Sequence, residues 1–183
     1  MNNIQTITSK KVRGEKITML TAYDYPTGIL LDKAGIDIVL VGDSLANVIL
    51  GLDSTTLVSM AEMLHHARAV RRGVKNALLV GDMPYDSYQA DPSQAVVNAR
   101  RFIQEAGCGA VKLEWFKQCP FVAENIVKAG IPVMGHVGLT PQTAESFKVQ
   151  GKDAHSAEEI IKHAHILERV GCFSVVLECI PQE

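Results

Sequence analysis

Short apolar runs alternate with longer amphipathic segments along this chain. The clearest run covers residues 36–41, where aliphatic and β-branched side chains dominate, and it ends abruptly at Gly42, Asp43 and Ser44. An apolar run of strand length that stops at a turn signal predicts a strand buried on both faces. The same pattern predicts five further strands, at residues 17–22, 77–82, 110–114, 131–136 and 173–178.

Helical patterns fill the intervals between these runs. Residues 59–62, Ser-Met-Ala-Glu, form a capping-box sequence that predicts a helix start, and we expect that helix to end at Gly73. Residues 91–92, Asp-Pro, predict another helix start, with Gly107 as its stop. Further helices are expected between residue 26 and Gly35, at 116–129, and at 156–170 with a capping box at 156–159; residues 1–16 are expected to be a polar leader, and residues 47–56 and 137–151 to be loops.

Strand alternates with helix six times, which predicts parallel βαβ units joined by right-handed crossovers. A doubly wound sheet or a barrel fits this order, and the barrel is favoured because polar groups follow every strand instead of one switch point. We therefore predict an α/β fold of the (β/α)8 TIM-barrel type in a single domain, residues 1–183. Such barrels need eight strands and typically ~250 residues. About six of the eight βα units are expected here, in an incomplete barrel or one closed by another chain.

Composition limits the kinds of partner. The 18 basic and 20 acidic residues give a net charge of -2, which supplies no broad field for nucleic acid or an anionic membrane. No apolar run approaches the ~20 residues needed to cross a bilayer, and the first residues lack the apolar core of a signal peptide. We expect a cytoplasmic protein. The four cysteines, at positions 108, 119, 172 and 179, fit neither a redox nor a zinc spacing, so free thiols in the core are expected.

Carboxylates stand at the ends of three successive predicted strands. Asp43, Asp82 and Glu114 offer oxygen ligands of the kind that Mg²⁺ prefers. Because parallel strands bring their carboxyl ends to one edge, these acids would repel one another unless a cation lay among them. The alternative is that each carboxylate caps the helix that follows. The spacing leaves both interpretations open.

Three other polar residues lie at strand ends. Lys112 shares a strand face with Glu114, and it could balance charge or grip a substrate carboxylate. Glu178 ends an apolar strand, so we expect desolvation to raise its pKa toward the range of a general base, unless it is solvated. His136 could donate to a substrate oxygen or be structural. No P-loop or GxGxxG sequence supports a nucleotide cofactor.

A series of motifs runs through nearly the whole chain: TAYDY at 21–25, VGDS at 41–44, VKLE at 111–114, GHVGLTPQ at 135–142, KVQG at 148–151 and LECIP at 177–181. In this order they resemble the ketopantoate hydroxymethyltransferase family. The resemblance implies a (β/α)8 fold and a cytoplasmic homo-oligomer, commonly a decamer. It also implies hydroxymethyl transfer from 5,10-methylenetetrahydrofolate to 3-methyl-2-oxobutanoate. The product, 2-dehydropantoate, is the first committed intermediate of pantothenate synthesis.

The resemblance further implies roles for individual residues. Mg²⁺ bound by the keto acid would act as a Lewis acid that stabilises an enolate formed when a base removes the C3 proton. The implied metal ligands are Asp43, Asp82 and Glu114; the implied substrate-binding residues are Asp43, Ser44, Asp82, Lys112 and His136; the implied base is Glu178.

The chain departs from the family pattern in one loop, and the sequence is also compatible with two other functions. Residues 143–147 form a shorter segment than the family usually has, which could leave the site less covered. A Mg²⁺-dependent carbon-carbon lyase of the phosphoenolpyruvate mutase and isocitrate lyase type would also use barrel strand ends and a keto acid. A non-catalytic subunit is the alternative from a different class.

Overall fold

A parallel sheet forms the centre of the molecule. The computed structural model describes residues 3–144 and 146–182, so Met1 and Asn2 of the expected leader, Glu145 of the short loop, and Glu183 lie outside it. Within these residues the sheet has six strands that pair in chain order. The strands are β1 Met19–Thr21, β2 Ile38–Val41, β3 Leu78–Asp82, β4 Ala110–Lys112, β5 Val133–Gly138 and β6 Ser174–Glu178. All five pairings are parallel, which confirms the predicted βαβ order.

Seven α-helices are found in the described residues: α1 Ile4–Val12, α2 Tyr25–Lys33, α3 Leu45–Val48, α4 Met60–Gly73, α5 Pro92–Ala106, α6 Cys119–Lys128 and α7 Ala154–Arg169. The capping box of α4 is formed as predicted, with the Ser59 and Glu62 side chains each accepting from the other residue's backbone N–H. Helix α5 begins after Asp91 and ends at Gly107, whose φ of 68° is left-handed and suits glycine.

Several boundaries differ from the sequence prediction. The expected polar leader contains α1. The expected loop at 47–56 begins within α3 and ends within a 3-10 turn, Thr55–Leu57. The predicted capping box at residues 156–159 is wrong, because Asp153 caps α7 by accepting from the Ser156 backbone N–H. Strand β5 continues past His136 to Gly138, since it pairs with β6 up to Glu178.

Helix α1 packs at the amino ends of the strands. Its Ile7 is buried in a small cluster that includes the side chains of Ile38, Leu78 and Ala110. These three are the first residues of β2, β3 and β4. Lys10 of α1 also donates to the Asp37 carboxylate, 2.6 Å away. The helix is therefore held by tertiary contacts rather than by a marked apolar stripe of its own.

The larger core lies between the sheet and the helices that follow its strands. Gly81 shows how closely the two layers approach, because a methyl group at that position would overlap the ring of Phe102 on α5. The close packing of Phe102 fixes the path of β3 immediately before Asp82. Packing between the sheet and α5 thus positions the acidic end of β3.

Three of the four cysteines are free thiols in the core, as predicted: Cys108, Cys119 and Cys172 are buried. The prediction is wrong for Cys179, which is a free but exposed thiol because it lies just beyond the end of β6. Among residues 3–144 and 146–182 there is no helix with the length and hydropathy required to traverse a bilayer.

Candidate active site

The three predicted carboxylates lie together at the carboxyl edge of the sheet. Asp43 follows β2, Asp82 ends β3 and Glu114 follows β4, and none of them is more than 5% exposed. The Asp43 backbone N–H donates to Asp82 Oδ2 at 3.2 Å. Their carboxylate oxygens accept from the side chains and backbone of other site residues, so none acts as the helix cap that the sequence left open.

Lys112 is the buried cation of this cluster. Its Nζ lies 2.8 and 2.9 Å from the two oxygens of Asp82, and the strand register makes the two residues direct partners across β3 and β4. Burial alone would lower the pKa of the Lys112 ammonium, but the charges of Asp82, Glu114 and Asp43 outweigh it and raise the pKa. Lys112 is therefore charged, and in this structure it balances Asp82.

His136 lies between two carboxylates. Its Nε2 is 3.0 Å from Glu178 Oε2 and its Nδ1 is 3.5 Å from Glu114 Oε1, while the ring itself is buried. Burial opposes protonation of the imidazole, yet the two carboxylates outweigh burial and raise the pKa of His136. The histidine thus links the third carboxylate to the end of β6.

Glu178 corrects one sequence expectation. Interaction with His136 lowers the pKa of this carboxyl, and the effect exceeds that of desolvation because 38% of the side chain is exposed. The expected rise in pKa is therefore wrong in direction. Glu178 is ionised at neutral pH, so it is available to accept a proton but is not the desolvated base that the apolar strand suggested.

Ser44 sits at the rim of the cluster. It follows Asp43 at the start of α3, and its Oγ lies 2.8 Å from the hydroxyl of Tyr23 in the loop after β1. Its hydroxyl does not cap α3. Tyr23 instead fixes the direction of the serine side chain at the edge of the carboxylate group.

Sequence reasoning gave no role to Gln142 and Tyr88, although both belong to the site. Both are buried; Gln142 Nε2 donates to Asp43 Oδ2 at 2.7 Å, and the Tyr88 hydroxyl donates to Gln142 Oε1. Gln142 closes the GHVGLTPQ motif, but its contact with Asp43 spans 99 positions in the sequence. Its place at the end of that motif is the signal that the sequence offers.

The charge balance of the cluster is negative. Asp43, Asp82, Glu114 and Glu178 supply four carboxylates, whereas Lys112 and, when protonated, His136 supply two positive charges. Burial first, and then the charge of Asp82, raise the pKa of Asp43 to about 7. A buried excess of negative charge with oxygen donors is the environment that suits a divalent cation.

A divalent cation at this site would need water or substrate oxygens as ligands in addition to the protein carboxylates. In the part of the chain that the structure describes, no group of three or more His, Cys, Asp or Glu side chains is arranged to hold a metal. Mg²⁺ usually binds through one or two carboxylates together with water and substrate oxygens. Asp43 and Asp82 form a neighbouring pair of this kind, and the full set with Glu114 stays a prediction.

The sequence matches a family model described as ketopantoate hydroxymethyltransferase over residues 1–183. The chain belongs to this family. A protein of Syntrophomonas wolfei named 3-methyl-2-oxobutanoate hydroxymethyltransferase is 51% identical over 98% of this chain and 66% of its own length. One of Clostridium botulinum strain 657 with the same name is 55% identical over 100% of this chain and 67% of its own length. The chain thus spans about two thirds of these relatives of the ketopantoate hydroxymethyltransferase family.

A solved structure supports the fold assigned to this family member. A 2,3-dimethylmalate lyase, described as a member of the PEP mutase/isocitrate lyase superfamily, superposes with a TM-score of 0.70 and covers 97% of this chain and 63% of its own. The predicted TIM-barrel class is confirmed for the part of the barrel present here. The sequence identity of 13% shows the fold alone, so the similarity gives the lyase alternative no support in chemistry.

Proposed function

We propose that the protein transfers a hydroxymethyl group from 5,10-methylenetetrahydrofolate to 3-methyl-2-oxobutanoate, giving 2-dehydropantoate. The observation that carries this proposal is the buried group of carboxylates around Lys112, in a chain 51–55% identical to relatives named for this reaction. A keto acid presents a carboxylate and a carbonyl oxygen on adjacent carbons. The buried cation Lys112, together with a divalent cation at the carboxylates, would be complementary to both groups.

The cation site is proposed at Asp43 and Asp82, with Glu114 contributing directly or through water. When bound, Mg²⁺ supplies Lewis-acid polarisation of the keto oxygen, which makes the neighbouring C3–H bond more acidic. Lys112, which is charged and held by Asp82, fixes one carboxylate of that pair and supplies positive potential for the acid group of the substrate. Ser44, directed by Tyr23, is proposed to donate to the substrate at the rim.

Glu178 is the proposed base. Its carboxylate is ionised and partly exposed, so an oxygen can face an incoming substrate while His136 holds the other side of the group. Removal of the C3 proton passes the proton to Glu178, and the electron pair of the C–H bond attacks the methylene carbon of the folate. In the overall reaction both C–N bonds of that carbon break, one water molecule supplies the hydroxyl oxygen, and the two folate nitrogens take up the proton from C3 and the proton that water releases. His136, between Glu114 and Glu178, positions the base and is proposed to contact the bound acid.

The reaction would supply 2-dehydropantoate for pantothenate synthesis in the cytoplasm. The working species is proposed to be a homo-oligomer, as the resemblance to the family implies.

Isotope exchange tests the proposed chemistry without the folate. We expect the protein to exchange the C3 proton of 3-methyl-2-oxobutanoate with deuterium from solvent, in a reaction that requires Mg²⁺. Glu178→Gln should slow exchange by on the order of 100-fold or more, the scale of a lost general base. NMR of the C3 position measures the rate. Glu158→Gln is the matched control, because Glu158 is an exposed residue near the start of α7.

Two results would count against the proposal in different ways. Absence of Mg²⁺-dependent exchange in the wild-type protein would remove the enzymatic function and favour the non-catalytic alternative. Undiminished exchange in Glu178→Gln would keep the reaction but remove Glu178 as the base.

A further inference from the structure

Gln142 lies where several elements of the site meet. Its Nε2 donates to Asp43 Oδ2 at 2.7 Å and to the carbonyl oxygen of Met83 at 3.0 Å. Its backbone N–H donates to Glu114 Oε2 at 2.9 Å. One buried residue from the loop after β5 thus contacts the carboxylates that follow β2 and β4, as well as the backbone that follows β3.

Tyr88 fixes the orientation of the Gln142 carboxamide. The Tyr88 hydroxyl oxygen accepts from the Glu114 backbone N–H at 3.3 Å, so its one proton is available for Gln142 Oε1, to which it donates. With Oε1 accepting from Tyr88, the amide nitrogen must face Asp43 and Met83. Every bond in this series therefore runs in one direction, from Glu114 through Tyr88 and Gln142 to Asp43.

The contact leaves the two oxygens of Asp43 in different situations. Oδ2 accepts from Gln142, whereas Oδ1 has no hydrogen bond or ion pair to any described residue. A carboxylate can rotate about its Cβ–Cγ bond, and a short bond from a buried, oriented amide removes that freedom. The Gln142 contact therefore fixes the rotation of the Asp43 carboxylate, and Oδ1 is the oxygen that has no hydrogen bond from the described residues.

We infer that Gln142 is a positioning residue that fixes the Asp43 carboxylate with Oδ1 presented to the cation and substrate, and that Tyr88 acts through Gln142. This inference rests on the proposed function, because it concerns the same site. Removal of a residue that hydrogen-bonds to a metal ligand typically weakens metal binding by about 10- to 100-fold.

Binding of Mn²⁺ tests the inference without turnover. Electron paramagnetic resonance of free Mn²⁺ gives the dissociation constant for the wild type, Gln142→Met, Tyr88→Phe, the double variant and Gln118→Met. Gln142→Met keeps the length of the side chain but loses the amide, and we expect the dissociation constant to rise by about 10- to 100-fold. Tyr88→Phe should give a smaller rise. The double variant should match Gln142→Met, because the inference has Tyr88 affect Asp43 through Gln142. Gln118, an exposed residue without a side-chain cap bond, is the control.

The outcomes separate this inference from the proposed function. Wild-type affinity in Gln142→Met, with wild-type binding intact, overturns the inference and leaves the function standing. Independent, additive losses in the double variant also overturn it. No binding of Mn²⁺ by the wild type rejects the proposed cation site and the inference with it. If Gln142→Met does not fold, Tyr88→Phe decides, since unchanged affinity there contradicts the coupling of Tyr88 to Asp43.

Discussion

At the scale of single residues, the site depends on charges that are removed from water. Lys112 is buried and bonded to both oxygens of Asp82, and no more than 6% of either side chain is exposed. Two desolvated ions are tolerable because each is the other's partner. Removal of one leaves the other as an uncompensated buried charge.

Lys112→Met is therefore expected to destabilise the fold strongly. We expect the free energy of unfolding at pH 7, without added metal, to fall by about 3–5 kcal/mol. Urea denaturation followed by circular dichroism measures the change. The matched control is Lys128→Met, which removes an exposed pair with Glu124 and should cost about 0–1 kcal/mol. Equal losses in the two variants would show that the buried pair contributes no more than the surface pair.

At the scale of elements, α1 is attached through a polar contact as well as through Ile7. The Asp37 carboxylate, which precedes β2, accepts from Lys10 Nζ and from the backbone and hydroxyl of Thr18. Burial alone would raise the pKa of Asp37, but these donors outweigh it and lower the pKa below the usual 3.8. A lowered pKa in the folded state means that the stabilisation is present above the unfolded pKa and is lost as the pH falls through the folded value.

Asp37→Asn is expected to have a pH-dependent effect on stability. At pH 7 the variant should lose about 1.5–3 kcal/mol, the scale of hydrogen bonds to a charged group. The difference from wild type should shrink at about pH 3, which lies below the usual pKa of 3.8, because the unfolded wild-type chain then gains a proton at Asp37. Urea denaturation at both pH values measures it. Glu15→Gln, in an exposed pair with Arg13, is the control and should change little. The same loss at both pH values would exclude the ionised carboxylate as the cause.

At the scale of the whole molecule, the parallel pairing of the strands explains why the fold and the position of the acidic residues could be predicted from the sequence. Each apolar run that stops at a polar residue became a strand, and the common direction of the strands brings Asp43, Asp82 and Glu114 to one edge. Their approximate position therefore follows from local pattern together with the rule that parallel strands share an edge.

The features that sequence analysis did not predict depend on contacts between residues far apart in the chain. Helix α1 carries little periodic signal and is held by Ile7 and Lys10 against residues far along the chain. Gln142 reaches Asp43 from a loop that has no pattern of its own. The pKa of Glu178 is lowered because β5 and β6 pair and bring His136 beside it, which no window of sequence contains.

The central claim is that the buried carboxylates at the strand ends hold a divalent cation. Isothermal titration of Mg²⁺ into wild type and Asp82→Asn tests it most directly, with Asp86→Asn, an exposed aspartate, as the control. We predict saturable binding by wild type and by Asp86→Asn, and affinity at least about 10-fold weaker in Asp82→Asn, as expected for the loss of a charged oxygen ligand. Equal affinity in Asp82→Asn and wild type would contradict the claim.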